Sequence, residues 1–164
     1  MKTIIVMYLV TSLCGSLYAQ TAVAPSTAAG EEKVRQERIK WWRDAKFGMF
    51  VCWGLYSIPA GTWKGKFTRG DYAEWVMFEN SIPVKEYEQL ATKFNPVKFD
   101  AGAWTKLARQ TGMRYMVFTT KFHDGFSMFK SQLTPYNVVD ATPFKRDVTR
   151  ELADACREAG LKFG

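Results

Sequence analysis

The chain has 164 residues, of which 47% are hydrophobic and 15% aromatic, and carries 23 Lys and Arg against 16 Asp and Glu for a formal net charge of +7. So much apolar and aromatic material excludes an intrinsically disordered protein, and the length limits the fold to one ordinary core. The basic residues alternate with acids, as in KEYEQLATK and RELADACRE. That is the pattern of solvated helix faces, so the positive excess does not mark a nucleic-acid surface.

Residues 1–20, MKTIIVMYLVTSLCGSLYAQ, combine Lys2, an apolar run from Ile4 to Leu13 and small residues up to Ala19. This is the plan of a secretory signal peptide, with cleavage expected near Ala19 or Ala24 and a secreted or periplasmic location. The apolar run is about half the roughly 20 residues that a spanning helix needs, so no membrane span is expected. Cys14 would suit a lipoprotein leader only after a small residue, and Leu13 stands there. Loss of the leader removes Lys2 alone among the charges and leaves +6. Residues 21–33 are small, polar and aperiodic, as a linker would be.

The fold is expected over residues 34–164. RQERIKWWRDA reads as a short amphipathic helix that delivers Trp41 and Trp42 to a core. KFGMFVCWG is a continuous apolar run, the signature of a strand in a parallel sheet covered on both faces. An irregular segment, LYSIPAGTWKGKFTRGDYAEWVMFENS, follows. Pro83 then opens a helix whose Tyr87, Leu90, Ala91 and Phe94 share one face. Asp100 caps a second helix, with Trp104, Leu107 and Ala108 inward, that stops at Gly112. MRYMVFTT is a second buried strand, and KFHDGF is the loop at its carboxyl end. A helix from Asp147 to Ala159, with Val148, Leu152, Ala155 and Ala159 inward, ends at Gly160, and LKFG opens a third strand.

Strand, helices, strand, helix, strand is the order of right-handed parallel βα units, whose sites lie on loops at the carboxyl ends of the strands. A (β/α)8 barrel takes about 250 residues and eight strands. The chain therefore reads as the amino-terminal portion of such a TIM-like barrel: about two βα units and the start of a third strand. An open sheet edge after LKFG predicts a tendency to aggregate.

His123 is the sole histidine, and with Asp124 and Gly125 it sits where a strand runs out into a glycine turn. It could bind a polar substrate, or simply be satisfied by a neighbouring carbonyl; strand-end position favours binding without deciding it. Trp53, Trp63 and Trp75 crowd in or beside the first long loop. Aromatic rings lie well against the C–H face of a sugar, although core packing alone would account for one or two of them. Asp71, Glu74 and Glu79 add carboxylates there; Glu74 beside Trp75 is the most site-like, while most loop carboxylates simply face water. Cys52 and Cys156 lie in apolar stretches, where buried free thiols are expected. There is no metal-ligand spacing, no glycine-rich phosphate loop and no Gly-x-Ser-x-Gly elbow, so no metal or cofactor is expected.

KFGMFVCWGLYSIPAG, DYAEWVM, FNPVKFDAGAW, KFHDGFSMF and YNVVDATPFKRDVTRELADACREAGLKFG together resemble the amino-terminal part of the catalytic barrel of α-L-fucosidases, glycoside hydrolase family twenty-nine. The resemblance runs from about Lys46 to Gly164, with the motifs in the family's order. It implies a retaining glycosidase that releases terminal α-L-fucose from a fucosylated glycan or glycoconjugate through a covalent fucosyl-enzyme. The family's nucleophile and acid/base fall beyond Gly164, so no catalytic residue is expected within this chain, and the isolated chain is expected to be inactive. His123 matches a fucose-binding histidine, and Glu74 and Trp75 match the loop that closes over the sugar; Trp53 and Cys52 complete the expected substrate-binding set. The family usually has histidine at Cys52 and often at Phe122, and both commonly contact the sugar. A non-catalytic sugar-binding relative, or a member with an altered sugar preference, therefore stands as the alternative.

Overall fold

A computed structural model of the chain describes residues 28–68, 70 and 72–164. The leader over residues 1–20 and the carboxylate of Asp71 lie outside the described residues. The chain divides into two compact units, Met1–Arg38 and Ile39–Gly164. A helix, α1 (Ala28–Ala45), runs across this division, begins six residues before the expected Val34, and has no buried residue.

Everything else belongs to the second unit. Its elements are β1 (Gly48–Cys52), β2 (Thr62–Trp63), β3 (Lys66–Phe67), α2 (Val76–Glu79), α3 (Val84–Tyr87), α4 (Ala101–Gln110), β4 (Tyr115–Thr119), α5 (Val148–Glu158) and β5 (Lys162–Phe163). β1, β4 and β5 form a parallel sheet in that order, and β2 and β3 form a small hairpin in the first loop. The expected α/β organisation with a parallel sheet is present.

The sheet is buried on one face only. Met49 and Val51 of β1 pair in register with Met116 and Phe118 of β4, and these four side chains face the helices. Met116 meets Cys156 of α5, sulfur to sulfur at 3.9 Å, and Val148, Leu152 and Cys156 of that helix are fully buried. The other face carries Gly48, Phe50 and Cys52 against Tyr115, Val117 and Thr119, and Phe50 is 68% exposed. The expected burial of β1 on both faces is thereby corrected: among the described residues no layer packs over the Phe50 face, so the alternation along the strand leaves Phe50 and Cys52 exposed. Trp41 and Trp42 are likewise not in the core but 46% and 52% exposed, with Trp41 edge-on to Tyr115 at 6.2 Å.

The helices follow local chemistry. Tyr87, Leu90, Ala91 and Phe94 are all buried as their spacing predicts, although the segment tightens into a 3-10 turn over Glu88–Lys93. Asp100 caps α4 by accepting the Ala103 amide at 2.9 Å. On α4 the buried side chains are Ala101, Thr105 and Ala108, whereas Leu107, expected inward, is 54% exposed. Asp147 does double duty: Oδ1 accepts the Arg150 amide at 2.9 Å to cap α5, and Oδ2 accepts the Lys130 amide at 2.9 Å. The long β4–α5 connection is braced by Asn137, fully buried, whose amide donates to the Thr134 carbonyl and Asp140 and whose Oδ1 accepts from the Val139 and Asp140 amides.

Among the described residues Cys52 and Cys156 are free thiols, Cys156 buried as expected and Cys52 exposed against expectation, since it lies on the uncovered face. Burial pushes the Cys156 thiol up to about 11. Because the thiolate is the nucleophile, iodoacetamide at pH 8 should modify Cys52 and spare Cys156 until the chain unfolds; equal modification in native peptide maps would contradict this packing. Asp147→Ala removes a helix cap and a loop hydrogen bond together, and should lower stability by about 1–2 kcal/mol in urea titration.

Candidate functional site

The parallel register places Cys52 beside Thr119, sulfur to hydroxyl at 3.4 Å, so the loops after β1 and β4 leave the sheet from one edge. The first loop turns at Gly54 into a 3-10 segment, Leu55–Ser57, that buries Leu55 and Tyr56. It passes through the β2–β3 hairpin and returns in a 3-10 turn, Ala73–Trp75, that leads into α2. The second loop opens with a tight turn: the Gly125 amide donates to the Phe122 carbonyl at 3.0 Å, and Gly125 has φ +75°, where a Cβ would be strained.

These two loops meet at His123. Its imidazole stacks on the Trp75 indole with ring centres 4.0 Å apart and planes 29° apart, and the Phe122 ring stands edge-on at 4.6 Å. Among the described residues neither imidazole nitrogen has a protein hydrogen-bond partner, so both are free to bind a ligand. His123 is exposed, and with Glu74 and Asp124 it lines a cavity of about 490 Å³ whose apolar wall includes Met77, Phe78 and Ile82.

Asp124 is anchored at both oxygens: Oδ2 accepts the Tyr87 hydroxyl at 3.0 Å, and Oδ1 accepts the Phe126 amide at 3.0 Å. Burial raises its carboxyl above the usual range, and these hydrogen bonds oppose that rise. Burial likewise raises the Tyr87 phenol, reinforced by the charge of Asp124. The Tyr56 hydroxyl is buried and has no hydrogen-bond partner among the described residues. It too is raised, first by burial and then by the charges of Cys52, Glu74 and Asp124, which place this phenol amid the loop-end groups.

The sequence-predicted residues separate into two groups. Glu74, Trp75 and His123 converge on one cavity edge, and Cys52 lies at the end of β1 on the uncovered face. Trp53 instead packs among Phe94, Phe99 and Trp104, with ring centres 5.5, 5.5 and 5.6 Å away. Trp63 is half-buried in β2, and Glu79 is exposed. Tyr56 and Tyr87 were not legible as site residues. A tyrosine two residues past the glycine that ends a strand is a usable signal for the first. Tyr87 reads as core because its ring is core, and only its hydroxyl belongs to the site. The surface offered is a flat aromatic pair, an unpaired imidazole and a half-buried carboxylate, suited to hydrogen-bonding hydroxyls on a ligand that also presents an apolar face.

Known proteins carry the same arrangement of segments. Over 77–79% of its length the chain superposes on alpha-L-fucosidase AlfC from Lactobacillus casei with a TM-score of 0.76 and 52% identity in its unliganded form, covering 39% of that chain. It matches alpha-L-fucosidase from Vibrio sp. strain EJY3 with a TM-score of 0.75 and 44% identity, covering 79% of this chain and 22% of that one. Human plasma alpha-L-fucosidase is 34% identical over 134 residues, and mouse tissue alpha-L-fucosidase is 35% identical over 130 residues. In both cases the match takes in 76% of this chain and 28% of the relative's length. With the alpha-L-fucosidase family model matching residues 16–164, over a segment that contains both loops of the His123–Trp75 pair, the chain belongs to the alpha-L-fucosidase family.

Proposed function

We propose that the complete polypeptide carrying this chain is a retaining α-L-fucosidase and that residues 34–164 supply part of its sugar grip. The observation that carries this reading is the His123 imidazole, stacked on Trp75 with both nitrogens unpaired among the described residues, at the carboxyl edge of a parallel sheet. It is supported by the similar AlfC, whose structures include a complex with its α-L-fucose product and a mutant complex with 4-nitrophenyl α-L-fucopyranoside. In this reading the imidazole and Glu74 hydrogen-bond sugar hydroxyls, and Trp75 covers an apolar face of the ring. Trp53, on the core side, supports the loop that carries them, and Cys52 faces the sugar from the end of β1.

The chemistry comes from outside this segment. A retaining glycosidase needs two carboxyl groups roughly 5 Å apart, one to attack the anomeric carbon and one to protonate the leaving oxygen. The family resemblance implies that both catalytic carboxyls lie at positions beyond Gly164; within this chain Asp124 is held by Tyr87 and Phe126, and Glu74 serves the grip. The three parallel strands are proposed as the first part of a (β/α)8 barrel, with further strands completing the edges of β1 and β5 and covering Phe50. The leader-like residues 1–20 support an exported enzyme.

A second reading, altered sugar preference, is favoured by one feature. Phe122 packs between Tyr56, at 5.4 Å, and His123, and offers no hydrogen bond where the family often has histidine. Three outcomes are expected. The 164-residue chain alone should release no 4-nitrophenol from 4-nitrophenyl α-L-fucoside. In the longer polypeptide His123→Ala should lower kcat/KM for that substrate at least tenfold, matching loss of one or two hydrogen bonds of about 1–1.5 kcal/mol each. Cys52→His there should raise kcat/KM for the fucoside; a gain for a different aryl glycoside instead would favour the second reading.

A further inference from the structure

His123 has two neighbours that hold its ring, Trp75 below and Phe122 at the edge, and no hydrogen bond to either nitrogen among the described residues. Nothing polar therefore fixes the imidazole, and its direction must come from the backbone on which it is mounted. That backbone is a turn of five residues, Phe122 to Phe126, closed by the Gly125 amide on the Phe122 carbonyl.

The ends of the turn are packed, Phe122 against Tyr56 and the buried Phe126 against Phe94 and Tyr136, and between them its one side-chain hydrogen-bond anchor among the described residues is Asp124. Asp124 uses both carboxylate oxygens, one inside the turn on the Phe126 amide and the other outside it on the Tyr87 hydroxyl. Tyr87 is 1% exposed and ends α3, on the face that also buries Leu90, Ala91 and Phe94, so its hydroxyl is as fixed as the core itself. Two other phenols lie within reach of the charge of Asp124, those of Tyr56 and Tyr136. Both hydroxyls are buried and neither hydrogen-bonds the carboxylate, which leaves Tyr87 as the side chain that anchors it.

We propose that Asp124 and Tyr87 are positioning residues for the sugar grip: the Tyr87–Asp124 hydrogen bond fixes the 122–126 turn so that the His123 imidazole lies flat on Trp75 with both nitrogens turned to the ligand. The inference rests on the proposed role of His123 as a sugar-binding group, but the geometry it assigns exists without sugar. Tyr87→Phe keeps the buried ring and deletes one hydroxyl. Asp124→Asn keeps the shape and one acceptor oxygen, which cannot serve both donors.

Because the chain has one histidine, its imidazole gives a single pair of ring-proton resonances in ¹H–¹³C spectra of histidine-labelled protein. Stacking on an indole moves those resonances upfield, and Trp75→Ala calibrates the full effect. In the 164-residue chain, Tyr87→Phe and Asp124→Asn should each return the His123 resonances at least halfway to the Trp75→Ala position. Asp147→Ala, destabilised at a distance from the site, should leave them where the wild type has them. Titration of the longer polypeptide with L-fucose should show at least tenfold weaker binding in both site variants and wild-type binding in Asp147→Ala. Resonances unmoved in both Tyr87→Phe and Asp124→Asn overturn the positioning role, as does equal movement in Asp147→Ala. If L-fucose does not bind the longer wild-type polypeptide, the sugar-binding reading fails, and the ring shifts in the 164-residue chain still decide whether Tyr87 and Asp124 set the orientation of the imidazole.

Discussion

The parallel pairing of β1 with β4 is the constraint on which the rest of this structure depends. Gly48 to Cys52 lie opposite Tyr115 to Thr119, one for one, so two loops separated by more than sixty residues of sequence depart from the same sheet edge. Parallel strands cannot be joined by a tight turn, and the crossover that the pairing requires is filled here by α3, the 3-10 turn over Glu88–Lys93 and α4. Those crossover elements bury Tyr87, Leu90, Ala91, Phe94 and Ala108, so the connection that satisfies topology also builds the core. The same connection carries the Tyr87 hydroxyl to the underside of the second loop.

One-sided burial of the sheet follows from the same arrangement. Helices seal the face with Met49, Val51, Met116 and Phe118, and the opposite face presents Phe50, Val117, Cys52 and Thr119 with little above them. A row of apolar side chains on an uncovered face, beside unpaired strand edges, is costly to leave in water and prone to pair with other chains. In the proposed barrel that face is the interior, and the carboxyl ends of its strands are the floor of the site. Cys52 then belongs to the inside of the barrel, which accounts for a cysteine that is exposed in a predominantly apolar strand.

The electrostatics of the loop ends are organised by burial more than by ion pairing. The surface ion pairs, such as Lys40 with Asp44 and Arg150 with Asp154, are exposed i,i+4 contacts of small energetic weight. Asp124, by contrast, is partly withdrawn from water, and its carboxylate is held by one phenol and one amide while two further phenols stand near. Removing a partner from such a group leaves a polar atom unsatisfied in a low-dielectric setting, which is why a single hydroxyl can govern the shape of a loop.

How much was legible in the sequence depended on the range of the interactions involved. Capping at Asp100 and Asp147, the buried face of Tyr87, Leu90, Ala91 and Phe94, and the left-handed turns at Gly112 and Gly160 are settled within a few residues, and the sequence alone determined them. The alternation of strands and helices, and with it the loops that carry Glu74, Trp75 and His123, was equally open to reading, as was the family through its chain of motifs. Tertiary structure decided which apolar residues are covered. Trp41, Trp42, Phe50 and Leu107 carry the right composition for a core, but burial depends on what lies across the gap, and periodicity is silent on that. It also decided that Trp53 turns inward while Trp75 stacks on His123, and that the hydroxyl of a core tyrosine ends on Asp124. Those contacts join residues tens of positions apart, and a local pattern cannot encode a distance that only the packed chain defines.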